Sequence, residues 1–83
     1  MNQPLTRLIH HLEKFVRGED VSVQWANNAE AILDEFGELD GVLEELQDYL
    51  PFYRPEGGPH LYDRQAMDRL CRHILPLLKE RAT

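Results

Sequence analysis

Hydrophobic residues recur every three or four positions in four separate segments of this chain, with polar residues between them. This spacing places the hydrophobic side chains on one face of a helix. Gly18, Gly37 and Pro51 follow the first three segments, and glycine and proline at such positions end helices. The pattern predicts helices over residues 4–17, 22–36, 39–50 and 63–80.

The ends of these helices carry recognisable signals. Asp20 or Ser22 is a suitable N-cap for the second helix, and Asp63 for the fourth, because their side chains accept hydrogen bonds from free backbone N–H groups. Pro76 lies inside the fourth segment and predicts either a kink or an end at Leu75.

Between the third and fourth helices, residues 51–61 contain three prolines and two glycines and are expected to form a loop. No segment alternates hydrophobic and polar residues as a strand does. Short connections between amphipathic helices favour antiparallel neighbours. We therefore expect an all-α fold, a small antiparallel four-helix bundle that forms one domain over residues 1–83. Its core should contain the most central hydrophobic positions: Leu8, Leu12, Ile32, Leu33, Leu46, Leu70 and Ile74.

Length and composition narrow the class of protein. The chain has 83 residues, of which 42% are hydrophobic, and a single cysteine. It contains no hydrophobic run near the roughly 20 residues that span a bilayer, and no signal-peptide pattern at its N-terminus. We expect a cytoplasmic protein without membrane association. A small core without a phosphate loop, a cysteine pair or an HExxH motif argues against an enzyme, a metal site or a cofactor.

Charge is distributed unevenly along the chain. The net charge is −6, and no Lys or Arg occurs from Glu19 to Tyr53, a stretch that contains ten acidic residues. Direct binding to nucleic acid is not expected, because phosphate contacts require a basic surface. Acidic residues four apart on a helix repel each other. Such pairs occur on the second helix (Glu30 and Asp34) and on the third (Asp40, Glu44 and Asp48, with Glu45 adjacent).

Two interpretations of the acidic segment remain open at this point. It is either a solvated face partly neutralised by arginines of the fourth helix, or a docking surface for a basic protein. Metal binding is disfavoured, because the acids lack the spacing of a calcium loop. Tyr49 and Tyr53 lie at the end of the third helix and could add hydrophobic contact. The predicted partner-binding residues are Glu30, Asp34, Asp40, Glu44, Glu45, Asp48, Tyr49 and Tyr53.

The remaining reactive side chains favour structural roles. His10 and His11 are neighbours and point about 100° apart on a helix, so they cannot bind one ion together. Cys71 lies on the hydrophobic side of the fourth helix, where a buried and unreactive thiol is expected. Phe52 could cover the end of the bundle or anchor an interface as an exposed aromatic.

Several segments resemble the bacterial immunity proteins that neutralise colicin D, a toxin that cleaves transfer RNA. They are Phe-Val-Arg-Gly-Glu-Asp at 15–20, the segment 21–26 with Trp25, Leu-Gln-Asp-Tyr-Leu-Pro at 46–51, and Leu-Tyr-Asp at 61–63. The Gly57-Gly58-Pro59 loop and Pro76 are not part of the resemblance. It implies a non-enzymatic helical bundle whose negative surface covers the basic active site of a nuclease toxin. The alternative is a non-enzymatic helical adaptor or a self-associating structural module.

Overall fold

The computed structural model describes residues 3–82 and contains four α-helices in this range. They are α1 (Gln3–Val16), α2 (Val23–Asp34), α3 (Gly41–Tyr49) and α4 (Arg64–Ala82), with a 3-10 turn at Leu50–Phe52 directly after α3. The prediction of an all-helical fold is confirmed for this part of the chain. None of these helices is both long and hydrophobic enough to cross a membrane.

The helix boundaries follow the predicted signals closely. Ser22 caps α2 by accepting a hydrogen bond from the Trp25 N–H at 3.1 Å, and Asp63 caps α4 by accepting from Ala66 N–H at 2.9 Å. Gly18 and Gly37 follow α1 and α2 with φ values of 79° and 76°, in the left-handed region that favours glycine.

Of the two outcomes expected at Pro76, a kink or an end at Leu75, the structure contradicts the second. The helix continues through Pro76 to Ala82 and does not end at Leu75. Pro76 is exposed, whereas Leu75 and Leu78 on either side of it are buried. Packing of the hydrophobic face therefore holds the helix together across a residue that removes one backbone hydrogen bond.

The four helices pack as expected for a bundle. α1 packs against α2 and α4, and α3 packs against the same two helices, while the 3-10 turn contacts α2 and α3. Each helix thus has two helical neighbours around one contiguous core. All seven predicted core residues are buried: Leu8, Leu12, Ile32, Leu33, Leu46, Leu70 and Ile74.

An aromatic cluster joins α1, α2 and the segment after α3. The Trp25 ring lies 4.5 Å from Phe15 and 6.2 Å from Tyr53, measured between centroids, and Phe15 lies 5.5 Å from Tyr53. All three side chains are buried. We define Phe15, Trp25 and Tyr53 as the aromatic core.

Two hydrogen bonds run between α1 and α2 beside this core. The Trp25 indole N–H donates to the His11 carbonyl at 2.8 Å, and the His11 imidazole donates through Nε2 to the Trp25 carbonyl at 2.8 Å. The two rings stack with an interplanar angle of 2°. The sequence did not reveal these hydrogen bonds, because the two residues lie 14 positions apart.

We predict that truncating Leu46 to Ala lowers the free energy of unfolding by about 2–5 kcal/mol, because this fully buried side chain would leave a cavity in a small core. Urea denaturation measures this change. The matched control is Gln47→Ala, which alters the next and exposed position of α3. Equal stability of the two variants would show that the core-facing side of α3 is wrongly assigned.

Candidate functional site

The acidic segment forms much of the exposed surface of α2 and α3. Glu44, Glu45 and Asp48 are exposed on α3, and Asp34 is exposed at the end of α2. Glu30, one turn before Asp34, is half-buried. The structure thus leaves most of the predicted partner-binding carboxylates accessible to another molecule.

Asp40 differs from the other acidic residues because it has structural partners. Its carboxylate accepts a hydrogen bond from the Leu43 N–H at 3.3 Å and caps α3. It also forms an ion pair with Arg81 at the end of α4. The hydrogen bond from the Leu43 N–H is the main reason why the pKa of the Asp40 carboxyl lies below its usual value, and Arg81 lowers this pKa further. At this position α4 does neutralise the acidic segment, as the solvated-face interpretation expected.

The other five predicted acids have no such partner. Within residues 3–82, no basic group lies within 4 Å of the carboxylates of Glu30, Asp34, Glu44, Glu45 and Asp48. Nor does any hydrogen bond reach them from another side chain in this range.

Several basic residues are instead engaged with other acids. Arg7 binds Glu35 at 2.6 Å, and Lys79 binds Glu13 at 3.0 Å. On α4, Arg72 binds Asp68 at 2.9 Å, one turn away on the same helix. The described part of the chain therefore leaves the exposed carboxylates of α3 unneutralised.

Tyr49 is half-buried and contacts the segment that precedes α4. Its ring stacks on Tyr62, with centroids 3.9 Å apart and planes 14° apart. Both rings line a groove of about 400 Å³ between α3 and α4, whose wall carries Glu45 on α3 and the bases Arg69 and His73 on α4. The charges along this groove are mixed, so the uniformly acidic part of the α3 surface is the side with Glu44 and Asp48.

The prediction that Tyr53 contacts a partner is wrong. The side chain is fully buried in the aromatic core, and its hydroxyl donates to the Val21 carbonyl at 2.5 Å. Desolvation by burial raises the pKa of Tyr53 to about 12. The spacing of Leu43, Leu46, Leu50 and Tyr53 is three, four and three, which continues the buried face of α3 and could have revealed this position from the sequence.

Phe52, the neighbour of Tyr53, is exposed: 52% of its surface remains accessible. Sequence reasoning left open whether this ring covers the bundle or faces a partner. The structure places it on the outside, immediately after the acidic surface of α3.

Cys71 is fully buried, and burial raises the pKa of its thiol to about 12. A thiol in this state is a poor nucleophile, which agrees with the expected structural role. Among residues 3–82, no group of three or more His, Cys, Asp or Glu side chains is arranged to hold a metal ion.

Comparison of the chain with protein families, with curated proteins and with solved structures gave no match.

The raised pKa values of Tyr53 and Cys71 predict a loss of stability at alkaline pH. Both groups have a higher pKa in the folded protein than in the unfolded chain. Their contribution to the free energy of unfolding is therefore complete at pH values below the pKa values of the unfolded chain, which are about 9 to 10. It is lost as pH rises toward 12. We expect the free energy of unfolding to fall over this range, and Tyr53→Phe combined with Cys71→Ala to make that decrease less steep.

Chemical denaturation at a series of pH values measures the slope. Tyr62→Phe is the control, because Tyr62 is half-buried outside the aromatic core and its hydroxyl makes no hydrogen bond within residues 3–82. An identical slope in the parent and in the double variant would contradict the prediction.

Proposed function

We propose that this chain is an immunity-type protein that binds a basic nuclease toxin, one that cleaves transfer RNA, and neutralises it by covering its active site. The observation that supports this most directly is the set of accessible carboxylates on α2 and α3 that have no basic partner within residues 3–82. Bacterial origin, a cytoplasmic location and an antiparallel order of the helices are parts of the same proposal.

The energetic argument starts from repulsion within the free protein. Glu44 and Asp48 lie one helical turn apart, where like charges destabilise a helix by roughly 0.2–0.5 kcal/mol. A cationic protein surface removes this repulsion when it binds. An active site that holds the phosphates of RNA is cationic, so carboxylates can occupy the places of phosphate groups there.

The same charges favour rapid association. A surface of one sign attracts an oppositely charged partner over a distance set by the ionic strength, about 8 Å at physiological salt. Such steering raises association rates by about 10- to 1,000-fold. Fast capture suits an inhibitor that must reach a toxin before its substrate does.

A non-catalytic role is consistent with the chemistry of the described residues. The one cysteine, Cys71, is buried and has a raised pKa. The His11 imidazole forms a hydrogen bond with the Trp25 carbonyl and so takes part in the packing of α1 on α2. In this proposal the protein acts by occupying a surface and uses neither metal nor cofactor.

The alternative is a helical adaptor or a module that associates with itself. One observation favours it: Arg64 and Arg69 on α4 are exposed and form no ion pair within residues 3–82, so the acidic surface of one copy could meet the basic surface of another. Analytical ultracentrifugation at low salt distinguishes the inhibitor from the self-associating module. A monomer supports the inhibitor, and a dimer that dissociates as salt rises supports the module.

The direct test of the proposal is capture followed by inhibition. The immobilised chain is exposed to lysate of its native host, and retained proteins are identified by mass spectrometry. We expect a basic nuclease among them, whose cleavage of transfer RNA stops when an equal amount of this chain is added. If the nuclease is retained but its activity is not inhibited, the proposal that this chain covers the active site is wrong.

We predict that the triple variant Glu44→Gln, Glu45→Gln and Asp48→Asn associates with that nuclease about tenfold or more slowly at low salt, because steering is lost. The difference should shrink as salt rises. Surface plasmon resonance at several salt concentrations measures it. Asp40 stays unchanged in this variant, because it caps α3 and pairs with Arg81.

The control variant removes three charges elsewhere: Glu19→Gln, Glu56→Gln and Asp68→Asn. Both triple variants have the same net charge, so a general charge effect would slow them equally. Slower association of the α3 variant alone supports a docking surface on this helix. If the α3 variant binds as fast as the parent at low salt, the acidic segment is only a solvated surface.

A further inference from the structure

Two exposed hydrophobic residues lie on neighbouring backbone segments just beyond the acidic surface of α3. Within residues 3–82 the exposed large hydrophobics are Phe52, at 52%, and Leu61, at 37%. A parallel β-bridge joins Tyr53 to Tyr62, and the Tyr62 N–H donates to the Phe52 carbonyl at 2.9 Å. Phe52 and Leu61, the residues just before the two bridge partners, are therefore neighbours along the backbone. We define these two exposed residues as the hydrophobic patch.

The backbone beneath this patch is held in place. Leu50 and Tyr53, on either side of the exposed ring, are buried, and the Arg54 N–H donates to the Tyr62 carbonyl at 2.9 Å. Leu61 lies over Gly58, where an added Cβ would come within 3.1 Å of Leu61 Cδ1. A side chain on a fixed backbone loses less conformational freedom when it binds, so it contributes more to affinity.

The patch continues the acidic surface of α3. Tyr49 and Leu50 keep helical backbone angles, so the helical path runs from α3 into the 3-10 turn. Glu44, Asp48 and Phe52 follow one another at intervals of four and are all exposed. Residues four apart lie on the same face of a helix. The row of carboxylates therefore ends at an exposed aromatic ring.

An aromatic side chain bordered by charged residues is the usual composition of a protein-binding surface. The apolar side chain at the centre supplies most of the affinity, and the charged rim supplies association rate and orientation. The negative rim also indicates the class of partner. Anionic lipid and nucleic acid would both be repelled by Glu44 and Asp48, whereas a basic protein would be attracted.

We propose that Phe52, with Leu61 beside it, is the hydrophobic anchor of the interface, and that the basic partner presents an apolar pocket bordered by Lys or Arg side chains. This inference rests on the proposed function and adds to it the residue that fixes the complex in place. Phe52 thus supplies the hydrophobic contact that the sequence had predicted for Tyr53, and the acidic residues of α3 form the charged rim around it.

The test compares Phe52→Ala with the parent in binding to the purified basic protein that the wild-type chain captures. We expect dissociation to become about tenfold faster or more, by a factor that is similar at low and high salt, because an apolar contact is not screened. The acidic triple variant should instead slow association, by a factor that decreases with salt. Phe52→Leu keeps an apolar side chain and should recover most of the affinity.

Gln47→Ala is the matched control, because Gln47 is exposed on the same helix and has neither charge nor ring. Removing the exposed Phe52 ring should leave the melting temperature nearly unchanged. If Phe52→Ala is nevertheless unfolded, Leu61→Ala replaces it as the test. Faster dissociation of this variant supports the patch as an anchor, and an unchanged dissociation rate overturns it.

The possible outcomes separate this inference from the proposed function. If Phe52→Ala binds as tightly as the parent while the acidic triple variant binds more weakly, the anchor is wrong and the proposed function stands. If the wild-type chain captures no basic protein, both are wrong. If it binds RNA or anionic lipid vesicles and Phe52→Ala does not, the choice of a protein partner is overturned.

Discussion

Burial of the Trp25 side chain is the constraint on which the rest of this structure depends. An indole is large and carries an N–H that must find a partner when it is removed from water. The His11 carbonyl supplies that partner, which fixes α2 against α1. Phe15 and Tyr53 complete the packing around the ring, and the Tyr53 hydroxyl finds its own partner in the Val21 carbonyl. One cluster thus sets the positions of two helices and of the segment that leaves α3.

The orientation of the acidic surface follows from this packing. Because Leu46, Leu50 and Tyr53 face inward, the opposite side of α3 and of the 3-10 turn faces solvent. That side carries the carboxylates and the Phe52 ring. The same residues that stabilise the bundle therefore determine which side chains a partner can reach.

Much of the fold could be predicted from the sequence, because periodicity and capping act over a few residues. The spacing of the hydrophobic positions located all four helices and the seven core residues, and the capping roles of Ser22 and Asp63 agreed with the structure. Contacts between distant positions could not be found in this way. The bond of Trp25 to His11, the bridge of Tyr53 to Tyr62 and the pairing of Asp40 with Arg81 depend on how the helices meet. For the site, the sequence located the acidic residues but wrongly predicted that Tyr53 is exposed. Which of two adjacent aromatic residues is buried at the end of a helix can be predicted only if the turn that continues the helix is recognised.

Trp25 is the only tryptophan of the chain, and its place in the core makes it a selective optical probe. Its fluorescence reports on the packing of α1, α2 and the segment after α3, since a ring shielded from water emits at shorter wavelength than an exposed one. The imidazole of His11 stacks on the indole, with the two ring centroids 5.2 Å apart, so the emission also depends on this contact between α1 and α2. Molecules that settle on the outer side of α3 do not touch the indole. The intrinsic signal therefore follows the integrity of the bundle, and a complex formed on its surface needs a label of its own.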